Sequence, residues 1–390
     1  MKKIAFYTLG CKANQYQTSC LECQMSNVKC QTVKFGQPAD IYVINTCTVT
    51  EDADRKSRQA IRRALRLGKK VIVAGCYAKL EGEKLKKLFP EISLTPFPLS
   101  HWERGIEGVR AVRVRTNLMI QDGCENFCSY CIVPYARGKI KSKPPDEVIS
   151  EAKQLVKSGA REIILTGINL GTYQYDLSSV ISRLSSVSGL LRIRLSSIEP
   201  MYLTKELIDA IARTPKVCRH LHIPLQSGDN DILKAMDRNY TREDYLEMVN
   251  YIRGKTPDCG ITTDIILGFP GESEKGFQRT VDLINEIKFS RLHIFTFSKR
   301  KGTPAAKLPN QVDIKIMKHR SKVLHELRKK YMIEFASQHL GKEVEILVEQ
   351  KGEGLTSNYI RCFFNDPADS SGQLKKIRVN KITPVGEIRE

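Results

Sequence analysis

Short apolar runs alternate with segments of helical periodicity over the first 92 residues. The runs KIAFYTLG, IYVINTC and KVIVAGC have the length and the content of β-branched and aromatic residues that are typical of buried strands. Between the last two runs, residues 52–67 place Ala53, Ile61, Ala64 and Leu65 at helical spacing. Such alternation predicts a first domain, residues 1–92, in which helices cover a parallel sheet.

The same alternation returns after residue 117. Strands are predicted over 118–121, 162–166, 192–196, 220–224, 261–267 and 291–297, with helical patterns such as 146–157 between them. Six β/α units predict a partial or complete barrel over residues 118–335, whose functional face lies at the carboxyl ends of the strands. Residues 93–117 match neither pattern, so they are interpreted as a linker or irregular structure.

The last part of the chain has a third pattern. The runs KEVEILVEQ, NYIRCFF and KKIRVNKI are β-rich and separated by polar turns, which predicts a small all-β domain over residues 338–388. The predicted fold class is therefore α/β with several domains, as expected for 390 residues.

The net charge of the chain indicates a class of binding partner. The formal net charge is +20, and residues 55–70 carry eight basic side chains and no acidic one. A second basic run lies between Lys299 and Lys330. Such an excess favours a polyanionic partner, most simply nucleic acid, although each run alone is also typical of a solvated helix face. The sequence contains neither a stretch that could span a membrane nor a signal peptide, so we expect a cytoplasmic protein without a membrane partner.

Three of the twelve cysteines follow predicted strands of the first domain. Cys11, Cys47 and Cys76 each come at the end of an apolar run. Sites in open α/β sheets form beyond the carboxyl ends of the strands, so these thiols are expected to converge on one edge. Disulfides are not expected in a reducing compartment, which favours metal binding or catalysis.

A second set lies in the loop GCENFCSYCIVPYARG, just after the first barrel strand. Cys124, Cys128 and Cys131 have the spacing C-x₃-C-x₂-C, and the next cysteine downstream is Cys218. A structural zinc site needs a fourth ligand, which the loop does not supply, whereas an iron–sulfur cluster on three thiolates leaves one iron open for a substrate or cofactor. Zinc remains the alternative for this loop.

This loop resembles the signature of radical S-adenosylmethionine (SAM) enzymes, in which SAM chelates the open iron. The motifs LGCKANQYQT, VINTCTVTEDADRKSRQAIRRA and VAGCYA resemble the amino-terminal domain of methylthiotransferases, a branch with a second three-cysteine cluster. LTGINLGTY, LSSIEP, HLHIPLQSG and TTDIILGFPGE resemble its central domain, and the final ~50 residues resemble its RNA-binding TRAM module. Around the first two cysteines, the chain is most similar to the members that act on N6-threonylcarbamoyladenosine at tRNA position 37.

The resemblance implies a flavodoxin-like first domain, a partial (β/α)₆ barrel and an OB-like TRAM domain. It implies two 4Fe-4S clusters, on Cys11, Cys47 and Cys76 and on Cys124, Cys128 and Cys131, and SAM as cosubstrate. Candidate SAM or substrate contacts are Tyr130, Gly167, Asn169, Glu199 and Gln226; no side chain is expected to act as a catalytic acid or base. The implied partners are the tRNA anticodon loop and an electron donor such as flavodoxin or ferredoxin, and we expect a monomer.

The implied reaction places a methylthio group on C2 of the modified adenine, giving 2-methylthio-N6-threonylcarbamoyladenosine. Two alternatives stay open within the family: isopentenyladenosine-37 of tRNA, or an aspartate of a ribosomal protein. An alternative of another class is a non-catalytic RNA-binding protein whose metals only stabilise the fold. Ordinary loop turns and packing are the competing explanation for the five candidate contacts.

Overall fold

The computed structural model describes residues 1–26, 30–68, 70–95 and 113–390. They form an amino-terminal α/β domain, a central parallel barrel and a carboxyl-terminal β domain, which confirms the expected multidomain α/β class. None of the helices in these ranges is long and apolar enough to cross a membrane.

The amino-terminal domain has a five-stranded sheet in the order β2-β1-β3-β4-β5, with every pair parallel. This is the flavodoxin-like strand order. Tyr42, Ile44 and Val73 are buried between the sheet and its helices, and Thr50 begins α2 by accepting a hydrogen bond from the Ala53 amide. The elements are β1 Lys2–Thr8, α1 Lys12–Ser26, β2 Cys30–Val33, β3 Ile41–Thr46, α2 Glu51–Leu67, β4 Lys70–Gly75, α3 Cys76–Leu88 and β5 Ser93–Leu94.

The central domain is a partial barrel of six parallel strands in two three-stranded sheets. An isolated bridge joins Ile193 of β10 to Val217, in the segment just before β11. Its strands are β6 Arg115–Met119, β9 Glu162–Thr166, β10 Arg192–Leu195, β11 His220–His222, β12 Gly260–Leu267 and β13 Arg291–Thr296. A short antiparallel ribbon, β7 Gln121–Asp122 and β8 Lys141–Ser142, closes the base of the loop that carries the second cysteine set.

Helices cover the outside of the barrel because their apolar stripes pack on the strands. Val148, Ala152 and Leu155 of α5 are fully buried in this core. The helices are α4 Val133–Arg137, α5 Pro145–Lys157, α6 Leu177–Ser185, α7 Lys205–Arg213, α8 Asn230–Ala235, α9 Arg242–Lys255, α10 Glu274–Ile287 and α11 Ile314–Ser337.

The carboxyl-terminal domain is a six-stranded, mostly antiparallel sheet around Ile346, Val348 and Ile377. Its strands are β14 Glu343–Gln350, β15 Glu353–Thr356, β16 Arg361–Phe363, β17 Leu374–Arg378, β18 Lys381–Ile382 and β19 Ile388–Arg389. Arg192 and Arg194 of the barrel donate to the carbonyl oxygens of Leu355 (2.7 Å) and Ser357 (3.0 Å). Because Arg192 begins β10, this domain covers the amino-terminal end of the barrel.

The amino-terminal domain contacts the barrel near its opposite, carboxyl end. Tyr16 of α1 donates to Glu151 of α5 at 2.8 Å, and Lys143 pairs with the same carboxylate, with all three side chains buried. Arg300 likewise pairs with Asp54 of α2 at 2.8 Å. The carboxyl edge of the sheet and the carboxyl face of the barrel are thereby held together.

Several predicted boundaries are wrong. The segment expected to be irregular over 93–117 includes β5 and the start of β6, while 96–112 lie outside the described residues. The barrel strand expected at 118–121 begins at Arg115. The prediction missed this start because the first positions of the strand carry charged or polar side chains rather than apolar ones. The first domain has five strands instead of three. The final domain has six strands, and the three predicted β-rich runs contain four of them, β14, β16, β17 and β18; its assignment as a TRAM module stays a prediction.

Candidate active site

The first cysteine set lies at the carboxyl edge of the amino-terminal sheet. Cys11 follows β1, Cys47 follows β3 and Cys76 begins α3 directly after β4, and these three strands are neighbours. Burial raises the pKa of Cys47 to about 11, with the neighbouring Cys76 and Cys11 thiols contributing in the same direction. The thiols predicted to converge therefore lie together.

Glycines allow this close approach. Gly10 has a φ of +101°, and a Cβ there would lie 2.9 Å from the Cβ and 3.1 Å from the Sγ of Cys47. Gly75, with a φ of +91°, would place a Cβ 2.3 Å from the carbonyl oxygen of Thr46. Any larger residue at either position would push the cysteine-bearing segments apart.

The second set lies in the loop between β7 and α4, at the carboxyl face of the barrel. Burial raises the pKa of Cys131 to about 12, and the pKa of Cys124 is raised by burial and by the thiol of Cys128. Uncoordinated thiols of this kind are protonated at neutral pH, and binding to a metal converts them to thiolates. Three soft sulfur donors without a fourth fit an iron–sulfur cluster with an open iron.

Arg238 connects this loop to the far side of the barrel. Its Nη1 donates to the Sγ of Cys128 at 3.3 Å, and its other terminal nitrogen forms an ion pair with Glu199. Arg238 is 6% exposed, and its Nε donates to the hydroxyl of Tyr240 at 3.2 Å. The guanidinium therefore holds Cys128 and the candidate contact residue Glu199 in one arrangement.

Arg137 links the helix that follows the second cysteine set to the first set. Its Nη1 donates to Asp122 at 3.0 Å, while its Nη2 donates to the side-chain oxygen of Asn14 and lies 4.0 Å from the Sγ of Cys11. It also donates to Cys76, whose pKa it lowers against the larger, opposing effect of burial. One buried cation thus contacts cysteines of the first set while belonging to the helix that follows the second set.

Asn169 has an unsatisfied amide. The side chain is 3% exposed, and neither its nitrogen nor its oxygen has a hydrogen-bond partner among the described residues. Its backbone N–H donates to the Oε1 of the fully buried Gln121 at 2.9 Å, which fixes the turn after β9. A Cβ at Gly167 would lie 2.7 Å from that same oxygen. An orphaned buried amide is the feature expected of a residue that binds a ligand.

The other candidate contacts lie around the same face. Tyr130 is partly buried with its ring edge-on to Phe269, at a centroid distance of 6.5 Å. Gln226 has a φ of +66°, and its backbone donates to the carbonyl oxygen of Asp264 and accepts from the Ile266 amide. A left-handed conformation at a non-glycine residue carries backbone strain, which clusters at functional sites.

Three polar side chains meet on the neighbouring strands β11, β12 and β13. His222 and His293 both contact the Oδ1 of Asp264, at 3.2 Å and 3.1 Å, and their rings stack at a centroid distance of 5.1 Å. Despite its burial, these two imidazoles hold the pKa of Asp264 well below its usual range. Two ring nitrogens and one carboxylate oxygen could in principle bind a metal ion, but both nitrogens already contact the carboxylate oxygen.

The remaining six cysteines do not extend either set. Cys20, Cys23, Cys218, Cys259 and Cys362 are buried and Cys30 is partly buried, as expected for structural thiols. The Sγ of Cys218 lies 3.9 Å from Glu162, at the amino-terminal end of the barrel. The sequence analysis did not predict Arg137, Arg238 and Gln121 as site residues. In the sequence they are only polar residues beside the cysteines or next to apolar positions.

Comparison with known proteins agrees with this arrangement. Residues 118–284 match the radical SAM superfamily, and residues 3–95 match the uncharacterized protein family UPF0004. The radical SAM methyltransferase TsrM of Kitasatospora setae has a similar fold, with a TM-score of 0.58 at 15% identity over 78% of this chain and 77% of that one.

Curated relatives cover nearly the whole chain. The threonylcarbamoyladenosine tRNA methylthiotransferase MtaB of Bacillus subtilis is 38% identical over 98% of this chain and 94% of its own length. The Aquifex aeolicus protein of the same name is 39% identical over 92% of this chain and 95% of its own. A tRNA-2-methylthio-N(6)-dimethylallyladenosine synthase of Pelotomaculum thermopropionicum is 35% identical over 99% and 95%. This chain belongs to the radical SAM tRNA methylthiotransferase family.

Proposed function

We propose that this enzyme methylthiolates C2 of N6-threonylcarbamoyladenosine at position 37 of tRNA, giving 2-methylthio-N6-threonylcarbamoyladenosine. The observation that carries the proposal is that two three-cysteine sets border one interface, where Arg137, on the helix after the second set, contacts Cys11 and Cys76 of the first. Relatives named for this substrate are 34–39% identical to the chain. Those named for dimethylallyladenosine reach 36%, so substrate choice needs a direct test.

The superfamily implies one 4Fe-4S cluster and SAM. Cys124, Cys128 and Cys131 would hold that cluster, and the side chain of Asn169 would bind SAM through its unpaired amide. When bound, the cluster and SAM supply the one-electron chemistry that an unactivated aromatic C–H bond requires. Arg238 would hold Cys128 and Glu199 in fixed positions relative to each other, because it contacts both.

Cys11, Cys47 and Cys76 would hold a second 4Fe-4S cluster, whose open iron would carry the sulfur to be transferred. Arg137 would fix this set against the barrel and place a permanent positive charge beside it. The buried Tyr16, Lys143 and Glu151 would keep the two halves of the site from separating. We further propose that the enzyme acts in the cytoplasm as a monomer, and takes electrons from a carrier such as flavodoxin or ferredoxin.

Iron content and cysteine variants test the two-cluster site. After anaerobic reconstitution, two cubanes give about eight irons per chain. We expect Cys47→Ala to hold about half of this iron and still cleave SAM, and Cys128→Ala to hold about half and lose SAM cleavage. Zinc in place of iron would instead support a metal-stabilised RNA-binding protein.

The substrate is tested with two anticodon stem-loops that differ only at position 37, one carrying N6-threonylcarbamoyladenosine and the other isopentenyladenosine. The reconstituted enzyme, SAM and a chemical reductant are incubated with each RNA, and the nucleosides are analysed by mass spectrometry. We expect thiolation of the first RNA alone. Thiolation of the second alone would retain the reaction class and reject the proposed substrate.

A further inference from the structure

A cleft of about 980 Å³ opens between the amino-terminal domain and the barrel, beside both cysteine sets. Thr48 lines it one residue after Cys47, and Ile132 lines it one residue after Cys131. Six basic side chains also line it: Arg55, Arg58, Lys84, Lys299, Arg300 and Lys301. Basic side chains outnumber acidic ones, and Asp54 is already paired with Arg300. The cleft therefore attracts anions.

Lys299 and Lys301 are the cations of this cleft best placed for a ligand. Within the part of the chain that the structure describes, neither forms a hydrogen bond or an ion pair. Both follow β13 and lie across the cleft from α2 and α3. Two ammonium groups without a partner among the described residues, both at one wall of the cleft, suit the phosphates of a nucleic-acid backbone.

An exposed aromatic pair lies beside the same cleft. Phe127 is 51% exposed and Tyr135 is 46% exposed, with ring centroids 5.8 Å apart and planes at 80°. Tyr135 lines the cleft from α4, whereas Phe127 lies inside the cysteine loop, one residue before Cys128. Neither ring is covered by the protein core.

The backbone at Phe127 is strained. Its φ is +46°, a left-handed conformation that bulky residues rarely adopt. A glycine or asparagine would adopt it more easily, so local folding does not explain a phenylalanine here. Strain that holds a large ring out in solvent beside a reaction site points to a ligand-binding role.

We propose that Phe127 and Tyr135 form a stacking platform for unpaired bases of the anticodon loop, while the cations of the cleft hold the neighbouring phosphates. The inference rests on the proposed function and names the residues that would present the RNA to the two cysteine sets. Aromatic faces beside a basic groove are the combination by which proteins bind single-stranded nucleic acid. A protein partner is disfavoured because charged residues dominate the lining.

The test measures binding of a fluorescent anticodon stem-loop to the reconstituted full-length enzyme by anisotropy. Phe127→Leu and Tyr135→Leu keep apolar volume but remove the π face, and each is expected to weaken binding on the order of tenfold. Phe127→Trp and Tyr135→Phe keep an aromatic face and should bind like the parent. Tyr175→Leu is the control, because Tyr175 is equally exposed at 45% but packs on Tyr173.

A second arm tests the binding of phosphates by the two lysines. Lys299→Ala combined with Lys301→Ala should reduce the steepness of the salt dependence by about 0.7 for each phosphate that the variant no longer neutralises. A 2-aminopurine in the loop should be quenched by the parent and by Phe127→Trp, and less by either leucine variant. Iron content and SAM affinity are measured for every variant; if Phe127→Leu loses iron, Tyr135→Leu decides the result, because Tyr135 lies on α4, four residues beyond Cys131.

Parent-like RNA binding by both leucine variants, with the parent still thiolating the RNA, would overturn the platform and leave the proposed function intact. A parent enzyme that holds both clusters but does not bind the stem-loop would overturn both. Loss of affinity in the leucine variants, with cluster content and the Tyr175→Leu control unchanged, would establish the platform.

Discussion

Replacing Asn169 by leucine should weaken SAM binding while stabilising the cofactor-free protein. In the absence of SAM, the buried amide has no partner among the described residues, and such a group costs about 1–3 kcal/mol. Leucine has a similar branched shape and removes that cost. If the amide makes two hydrogen bonds to SAM at about 0.5–1.5 kcal/mol each, their loss raises the Kd roughly 5- to 150-fold.

The assay combines calorimetric titration of SAM into the reconstituted enzyme with thermal unfolding of the cofactor-free protein. We expect the higher Kd together with a midpoint raised by about 2–4 °C for each kcal/mol. Asn358→Leu is the matched control, since Asn358 is equally buried but bonded to Thr356 at 2.6 Å, so this change should lower stability and leave SAM binding unchanged. An unchanged SAM Kd in Asn169→Leu would refute the assignment of this amide to SAM.

Three other changes have defined outcomes. Glu162→Gln leaves the fully buried Arg194 without its carboxylate and should lower the free energy of unfolding by about 3–5 kcal/mol, measured by chemical denaturation. As the pH falls from 4.5 to about 2, the free energy of unfolding of the parent should decrease by about 3 kcal/mol, because the Glu162 carboxylate is protonated at a higher pH in the unfolded state than in the folded state. Glu162→Gln should lack this pH dependence. Arg137→Lys keeps the charge but cannot bond Asp122 and Asn14 together, so iron should fall toward about four per chain, measured by iron analysis; retention of all the iron would count against the proposed role.

The cysteine sites were predictable because they depend on a rule that is local in sequence. A cysteine directly after a parallel strand lies at the carboxyl edge of the sheet, and the order β1-β3-β4 brings Cys11, Cys47 and Cys76 together. The loop of the second set is short enough for its spacing alone to indicate shared ligands. Asn169 also follows a strand, β9, but it was a candidate because of the resemblance to radical SAM enzymes, and its role in SAM binding stays a prediction.

The two arginines were not predictable because their partners are distant in sequence. Arg137 bonds Asn14 across 123 positions, and Arg238 bonds Cys128 across 110. Nothing beside either residue distinguishes it from a surface cation. Such contacts form only when segments that are distant in sequence pack together, within the barrel for Arg238 and between two domains for Arg137, so hydrophobic periodicity does not reveal them.

The missed strands and strand boundaries have a local cause, since the alternation of apolar and polar positions is weak or absent there. β2 and β5 are edge strands with exposed positions, and β5 has only two residues, too few for any alternation. β6 begins with Arg115, which faces Glu162 and Glu349 rather than an apolar core. The start of the barrel was therefore missed because its first residue is charged and lies at the contact between the barrel and the carboxyl-terminal domain.

The most direct test of the central claim is mass spectrometry of tRNA nucleosides from a host that lacks its own methylthiotransferases, with and without this chain. We predict that 2-methylthio-N6-threonylcarbamoyladenosine appears only with the intact chain and is absent with Cys47→Ala. Appearance of the isopentenyl analogue instead would contradict the substrate. No thiolated nucleoside from a protein that holds both clusters would contradict the claim that this enzyme thiolates tRNA.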